Sequence, residues 1–116
     1  MLNYKVGIDI VDIKRLARII GEDERYLIKF LPIGWLSDLK NVQTIAGRVA
    51  LFEATIKAFP KEHMKILKET VFTYDELAPK VILPPKIAVE YSIEVSISHS
   101  ANLAIATCLV IAKKIQ

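Results

Sequence analysis

Glu53 and Lys57 stand four residues apart in the stretch Ile45-Ala46-Gly47-Arg48-Val49-Ala50-Leu51-Phe52-Glu53-Ala54-Thr55-Ile56-Lys57-Ala58-Phe59. Four residues is about one helical turn, so a carboxylate and an amine share one side of a helix. Asp9 is a lone acid among Ile8, Ile10 and Val11. An acid in such a setting calls for a partner or a metal, because burying a bare charge is costly. Late in the chain, Ser98-His99 adds a hydroxyl and an imidazole. We take Glu53 and Lys57 as the working groups, with Asp9 and Ser98-His99 facing them. Each has a plainer alternative. Glu53 and Lys57 also suit a helix-surface ion pair of little energetic weight, and Asp9 suits an exposed strand end or a cap.

The elements that must hold these groups can be read from the spacing of apolar residues. Ile45, Val49, Phe52, Ile56 and Phe59 recur at steps of three and four, one face of a helix over residues 45–59. Alanine, the best helix former, fills the gaps. Pro60 ends it, since the residue before proline resists the α region. The helix starts either at Asp38 or after a break near Asn41. Residues 4–10 begin as a short strand, with Gly7 allowing backbone or ligand to come close. A first helix spans about residues 12–20, with Ile13, Leu16, Ala17 and Ile20 as its apolar stripe and Gly21 as its stop. Lys14, Arg15 and Arg18 make its other side basic, which suits solvent or an acidic helix of a partner.

Asp23 can cap a short second helix carrying Tyr26, Leu27, Phe30 and Leu31, which Pro32-Ile33-Gly34 breaks. Trp35 suits the core or a subunit contact, Ser37 can cap the next helix, and His63 reads as a surface histidine. The second half is strand-rich. Residues 69–74 and 80–83 flank a turn at 75–79, residues 93–98 alternate as a half-buried strand does, and 103–112 is a nearly continuous apolar strand, hence central in its sheet. Helices come mostly first and strands last, an α+β pattern.

The chain's 116 residues suit a single domain, residues 1–116. No apolar run reaches membrane-helix length and the first residues lack a signal-peptide layout, so no membrane role is expected. The lone Cys108 lies in an apolar run and suits a small buried hydrophobe in a reducing cytoplasm. A hydrophobic content of 53% leaves apolar surface over and predicts self-association. The net charge of +3 is too mild, and the basic residues too dispersed, to argue for nucleic acid.

Three segments stand in order: Val6-Gly7-Ile8-Asp9-Ile10-Val11 followed by Lys14-Arg15; Ala46-Gly47-Arg48-Val49-Ala50 leading to Glu53 and Lys57; and Val95-Ser96-Ile97-Ser98-His99-Ser100. In order and spacing they resemble the holo-acyl-carrier-protein synthases, the short 4′-phosphopantetheinyl transferases, over nearly the whole chain. The resemblance implies an α+β domain, with N-terminal helices on a mainly antiparallel sheet, assembled as a homotrimer with active sites between subunits. It implies cytoplasmic transfer of the phosphopantetheine arm of coenzyme A to a serine of apo-acyl-carrier protein, for fatty acid biosynthesis, with Mg²⁺ required and 3′,5′-ADP released. Asp9 and Glu53 match the family's metal-binding acids. Lys57 matches its phosphate-reaching lysine, and Ser98 and His99 its coenzyme A segment. Lys14, Arg15 and Arg18 match the face that grips the carrier protein.

Four positions depart from the family pattern. Phe52 stands where a lysine is usual. Pro60-Lys61-Glu62-His63 replaces a glycine-rich turn, Ala78-Pro79-Lys80 replaces a Gly-Lys-Pro turn, and Leu103 replaces an aromatic residue. These departures favour the alternative, a divergent non-catalytic relative that keeps the fold and binds a carrier protein. Asp9, Glu53 and Lys57 favour the enzyme.

Overall fold

The computed structural model describes residues 3–23, 25, 41–59, 69–75 and 78–113. The expectations for the second short helix at 26–31, for Trp35, Ser37 and His63, and for the segment after Pro60 lie outside them. In chain order the elements are β1 (Tyr4–Asp12), α1 (Ile13–Glu22), α2 (Val42–Ala58), β2 (Val71–Asp75), β3 (Ala78–Ile82), α3 (Pro85–Ala88), β4 (Tyr91–Ser100) and β5 (Leu103–Ala112). The architecture is α+β. β1, β5 and β4 form an antiparallel sheet in that order, and β2 and β3 pair as a separate antiparallel hairpin.

β5 is central, as its unbroken apolar run predicts. Its inward residues are Ala104, Ala106, Cys108 and Val110, all buried. The first three are small, and α2 answers with Ala46, Gly47, Ala50, Ala54 and Ala58, also buried. Small residues on both surfaces let the helix lie close to the sheet. The closest approach is at Gly7, where a Cβ would overlap the carbonyl oxygen of Ala54 and come within 3.0 Å of the backbone nitrogen of Ala58. The expectation that Gly7 admits close backbone approach is met, and the backbone is that of α2.

Larger side chains close the layer at its margins. Phe52 packs edge-on to Phe72 of β2, with ring centroids 6.0 Å apart, and so ties the hairpin to α2. Phe59 meets Tyr91 of β4 in the same way at 5.6 Å. α2 starts at Asn41, whose side chain accepts from the Gln43 N–H, so the break near Asn41 is the correct alternative.

Three expectations need correction. α1 runs through Gly21 to Glu22, because nothing presses on that glycine and the helix ends only where Asp23 turns extended. Ala17 is exposed, and the buried contact is made by Ile13 and Leu16. Pro79 lies in a strand, paired with Tyr74, so the turn is shorter than residues 75–79.

The other face of the sheet is open among the described residues. Tyr4, Val6, Ile8 and Ile10 of β1 are 68%, 61%, 53% and 58% exposed. Their register sets them beside Ile111, Leu109, Thr107 and Ile105 of β5. β4 contributes polar residues to this face: Ser92, Glu94, Ser96, Ser98 and Ser100.

Candidate active site

Asp9 points inward from β1, because alternate strand residues face alternate sides and Gly7, two residues earlier, faces α2. It therefore meets the last turns of α2. Lys57 Nζ donates to Asp9 Oδ1 at 2.9 Å and to the carbonyl oxygen of Ile8 at 3.1 Å. The partner of Lys57 is thus Asp9, and no Glu53–Lys57 ion pair forms among the described residues. The i,i+4 spacing brings the two side chains to one side, but the strand offers the amine a carboxylate and a carbonyl together. Lys57 remains half-exposed, so the ion pair itself contributes about 1 kcal/mol at most.

Glu53 is half-buried one turn before Lys57. Burial pushes its carboxyl above the usual range, the negative charge of Asp9 pushes the same way, and Lys57 partly offsets both. Both carboxylates line one cleft of about 390 Å³, whose walls also include Asp12, Arg15, Leu16, Val49 and Leu103. Arg15 projects from α1, where Lys14, Ala17 and Arg18 are exposed beside it. The expected carrier-binding residues thus flank the expected metal-binding acids.

The Ser98-His99 segment lies elsewhere in the same chain. Ser98 faces the open side of the sheet and His99 the helix side. His99 Nε2 is 2.9 Å from the carbonyl oxygen of Gln43, and since that oxygen can only accept, Nε2 carries a proton. Gly47 makes room for the ring, as a Cβ there would come within 3.0 Å of Nε2. Gln43 precedes Glu53 by ten residues, about 15 Å along a helix. Within one chain Ser98 and His99 therefore do not face Glu53 and Lys57.

Phe52 is buried against Phe72, away from the cleft. Two residues with structural roles were not singled out from sequence. Asp12 caps α1 and accepts from the Arg15 N–H, and its carboxyl is held below the usual range by that bond and by the Asn102 amide. Asn102 falls between the strands expected at 93–98 and 103–112, where no role was assigned. An Asp immediately before an apolar helical stripe was a legible cap signal, whereas the role of Asn102 depends on pairing across 90 residues.

Two carboxylates are suited to Mg²⁺, which takes one or two protein carboxylates and completes its shell with water and substrate phosphate oxygens. No group of three or more His, Cys, Asp and Glu side chains could hold a metal among the described residues. Asp9 and Glu53 line one cleft, and the negative charge of Asp9 adds to burial in raising Glu53, a charge that a bound cation would offset, so the donor set fits.

The fold, a three-stranded antiparallel sheet crossed by one long helix, is shared with solved synthases that act on acyl-carrier proteins. More particularly, the chain is similar along most of its length to holo-[acyl-carrier-protein] synthases. That of a Geobacillus species is 29% identical over 114 residues, covering 90% of this chain and 93% of the relative. That of Anoxybacillus flavithermus is 26% identical over 114 residues, covering 90% and 92%. The structure of the Helicobacter pylori holo-[acyl-carrier-protein] synthase in complex with coenzyme A superposes with a TM-score of 0.71 at 28% identity, covering 93% of this chain and 99% of that one. No protein-family model matches the chain.

Proposed function

We propose that the chain, as one domain, transfers the 4′-phosphopantetheine arm of coenzyme A to a serine of an apo-acyl-carrier protein. The observation that carries this is the cleft itself. Asp9 and Glu53 line it with Arg15 of the basic face of α1, and Lys57 is bound to Asp9, in a chain similar to holo-[acyl-carrier-protein] synthases. Glu53, its carboxyl raised by burial and by Asp9, takes the proton from the carrier serine. The serine oxygen attacks the phosphorus bearing the pantetheine arm, the bond to the other phosphate breaks, and 3′,5′-ADP leaves. Lys57, fixed by Asp9 and the Ile8 carbonyl, offers its amine to the phosphates. Asp9 and Glu53 would hold Mg²⁺, which when bound neutralises phosphate charge. Lys14, Arg15 and Arg18 present positive charge to an acidic carrier.

The open sheet face supports a homotrimer. A row of exposed apolar residues on β1, continued on β5, is the kind of surface that association covers. Coenzyme A would then lie between subunits, which accounts for the distance from Ser98-His99 to the cleft in one chain. The surroundings would be the cytoplasm, and no helix among the described residues is long and apolar enough to cross a membrane. Sedimentation should show a species three times the chain mass, and Ile8→Glu should reduce it to monomer.

The deciding experiment is mass spectrometry of an apo-acyl-carrier protein after incubation with the protein, coenzyme A and Mg²⁺. The carrier should gain the mass of the arm, and Glu53→Ala should abolish the gain. Absence of gain across several carriers, with the protein folded, favours the non-catalytic relative. Mg²⁺ should also raise the melting temperature of the parent but not of Asp9→Ala, a readout independent of transfer.

A further inference from the structure

The first turn of α1 is held by a residue nearly ninety positions away. Helix starts leave backbone N–H groups without partners within the helix. Here the carbonyl oxygen of Asn102 accepts from the Ile13 N–H at 2.9 Å. Asn102 Oδ1 accepts from the Lys14 N–H at 3.0 Å. Asp12 Oδ1 accepts from the Arg15 N–H at 3.0 Å, and Asn102 Nδ2 donates to that same oxygen at 2.8 Å. Three successive N–H groups are satisfied, two of them by Asn102 and the third by an aspartate that Asn102 holds.

Asn102 stands at the β4–β5 hairpin tip, in a two-residue turn with Ala101, whose φ is 51°. The latch therefore joins the β4–β5 end of the sheet to the helix that carries Lys14, Arg15 and Arg18. An amide meets both demands at this position, since it accepts from Lys14 and donates to Asp12. A carboxylate would accept but set a second negative charge against Asp12. An alanine would do neither.

We infer that Asn102 is a positioning residue for carrier-protein docking, fixing the angle at which α1 presents its basic residues beside the cleft. This rests on the transferase reading above. Asn102 touches neither substrate in this scheme, so its effect must pass through α1.

The test varies carrier and coenzyme A separately in steady-state kinetics of the intact chain. Asn102→Ala and Asn102→Asp should each raise KM for the carrier roughly five- to tenfold, as loss of one ordinary hydrogen bond implies. KM for coenzyme A should stay within twofold. The double variant Asn102→Asp with Asp12→Asn restores the donor and the acceptor in reversed order. The new amide at position 12 donates to the new carboxylate at position 102, which still accepts from Lys14, so carrier KM should return to within twofold of the parent. A purely structural role would lower the active fraction, hence apparent kcat, and leave both KM values alone. That outcome, or no rescue in the swapped pair, overturns the inference. Should Asn102→Ala fail to fold, the aspartate variant and the swapped pair decide it. A parent chain that transfers nothing refutes the functional reading instead, and is seen before any variant is compared.

Discussion

Gly7→Ala should be among the most damaging single-methyl additions to the described structure. The added carbon would overlap the carbonyl oxygen of Ala54, lie 2.9 Å from its carbon and 3.0 Å from the nitrogen of Ala58. All three are helix backbone atoms, so no side chain can swing aside. β1 and α2 must separate by on the order of 1 Å, and a gap of that size forfeits a quarter to a half of each dispersion contact across it. Overpacking of this kind costs about 3 kcal/mol or more. For 116 residues, at about 4 °C per kcal/mol, the melting temperature should fall by roughly 12 °C or more. The same separation pulls Asp9 from Lys57 and spreads the cleft, so transfer should fall even below the melting transition. Thermal unfolding followed by circular dichroism reads the first effect. Gly21→Ala is the control, since nothing lies within 4 Å of its Cβ position in α1, and it should gain up to about 1 kcal/mol from helix propensity. A Gly7→Ala protein within 1 kcal/mol of the parent would refute the packing account of α2 on β1.

Other outcomes follow from individual side chains. Glu53→Gln should abolish transfer yet raise the melting temperature near neutral pH, because burial and Asp9 disfavour the charged carboxylate. With its pKa raised in the folded state, Glu53 costs stability as pH rises past its unfolded range and through its folded value. Melting temperatures across that window should therefore decline more in the parent than in the variant. Cys108 is fully buried and its thiol is pushed up to about 11 by burial, so native protein should resist a thiol reagent at pH 8 and react once unfolded in urea. Ala101→Gly should stabilise by about 0.5–1 kcal/mol in urea titrations, since φ of 51° strains a residue with a Cβ.

The fold was legible where side chains repeat with a clear period. The apolar run of β5 gave its central place, and the three- and four-residue spacing gave α2. The Asp9 and Lys57 pairing was half legible. The residue types were clear, but the partner of Lys57 is set by how far α2 lies along β1, which local spacing cannot encode. Phe52 shows the same limit. The apolar spacing puts it on the buried face and the family resemblance marks it as a missing amine, but neither names the contact with Phe72 that secures β2. The role of Asn102 was not legible, because its side-chain partners are 88 and 90 residues away in sequence.

That long-range pairing bears on how the protein is born. β1 pairs with β5 from Tyr4 and Ile111 to Asp12 and Leu103, so the strand carrying Asp9 is synthesised well before its partner, with the rest of the domain between them. Such non-local pairing slows folding, because loop closure must precede the contacts that reward it. On the ribosome, β1 waits as an apolar ribbon without this neighbour until β5 has emerged, a template for unwanted strand pairing in the interval. Lys5 near one end and Asp9 and Asp12 towards the other interrupt that ribbon. The acid that lines the cleft in the finished protein thus also breaks the apolar run of the unfinished strand with a charge.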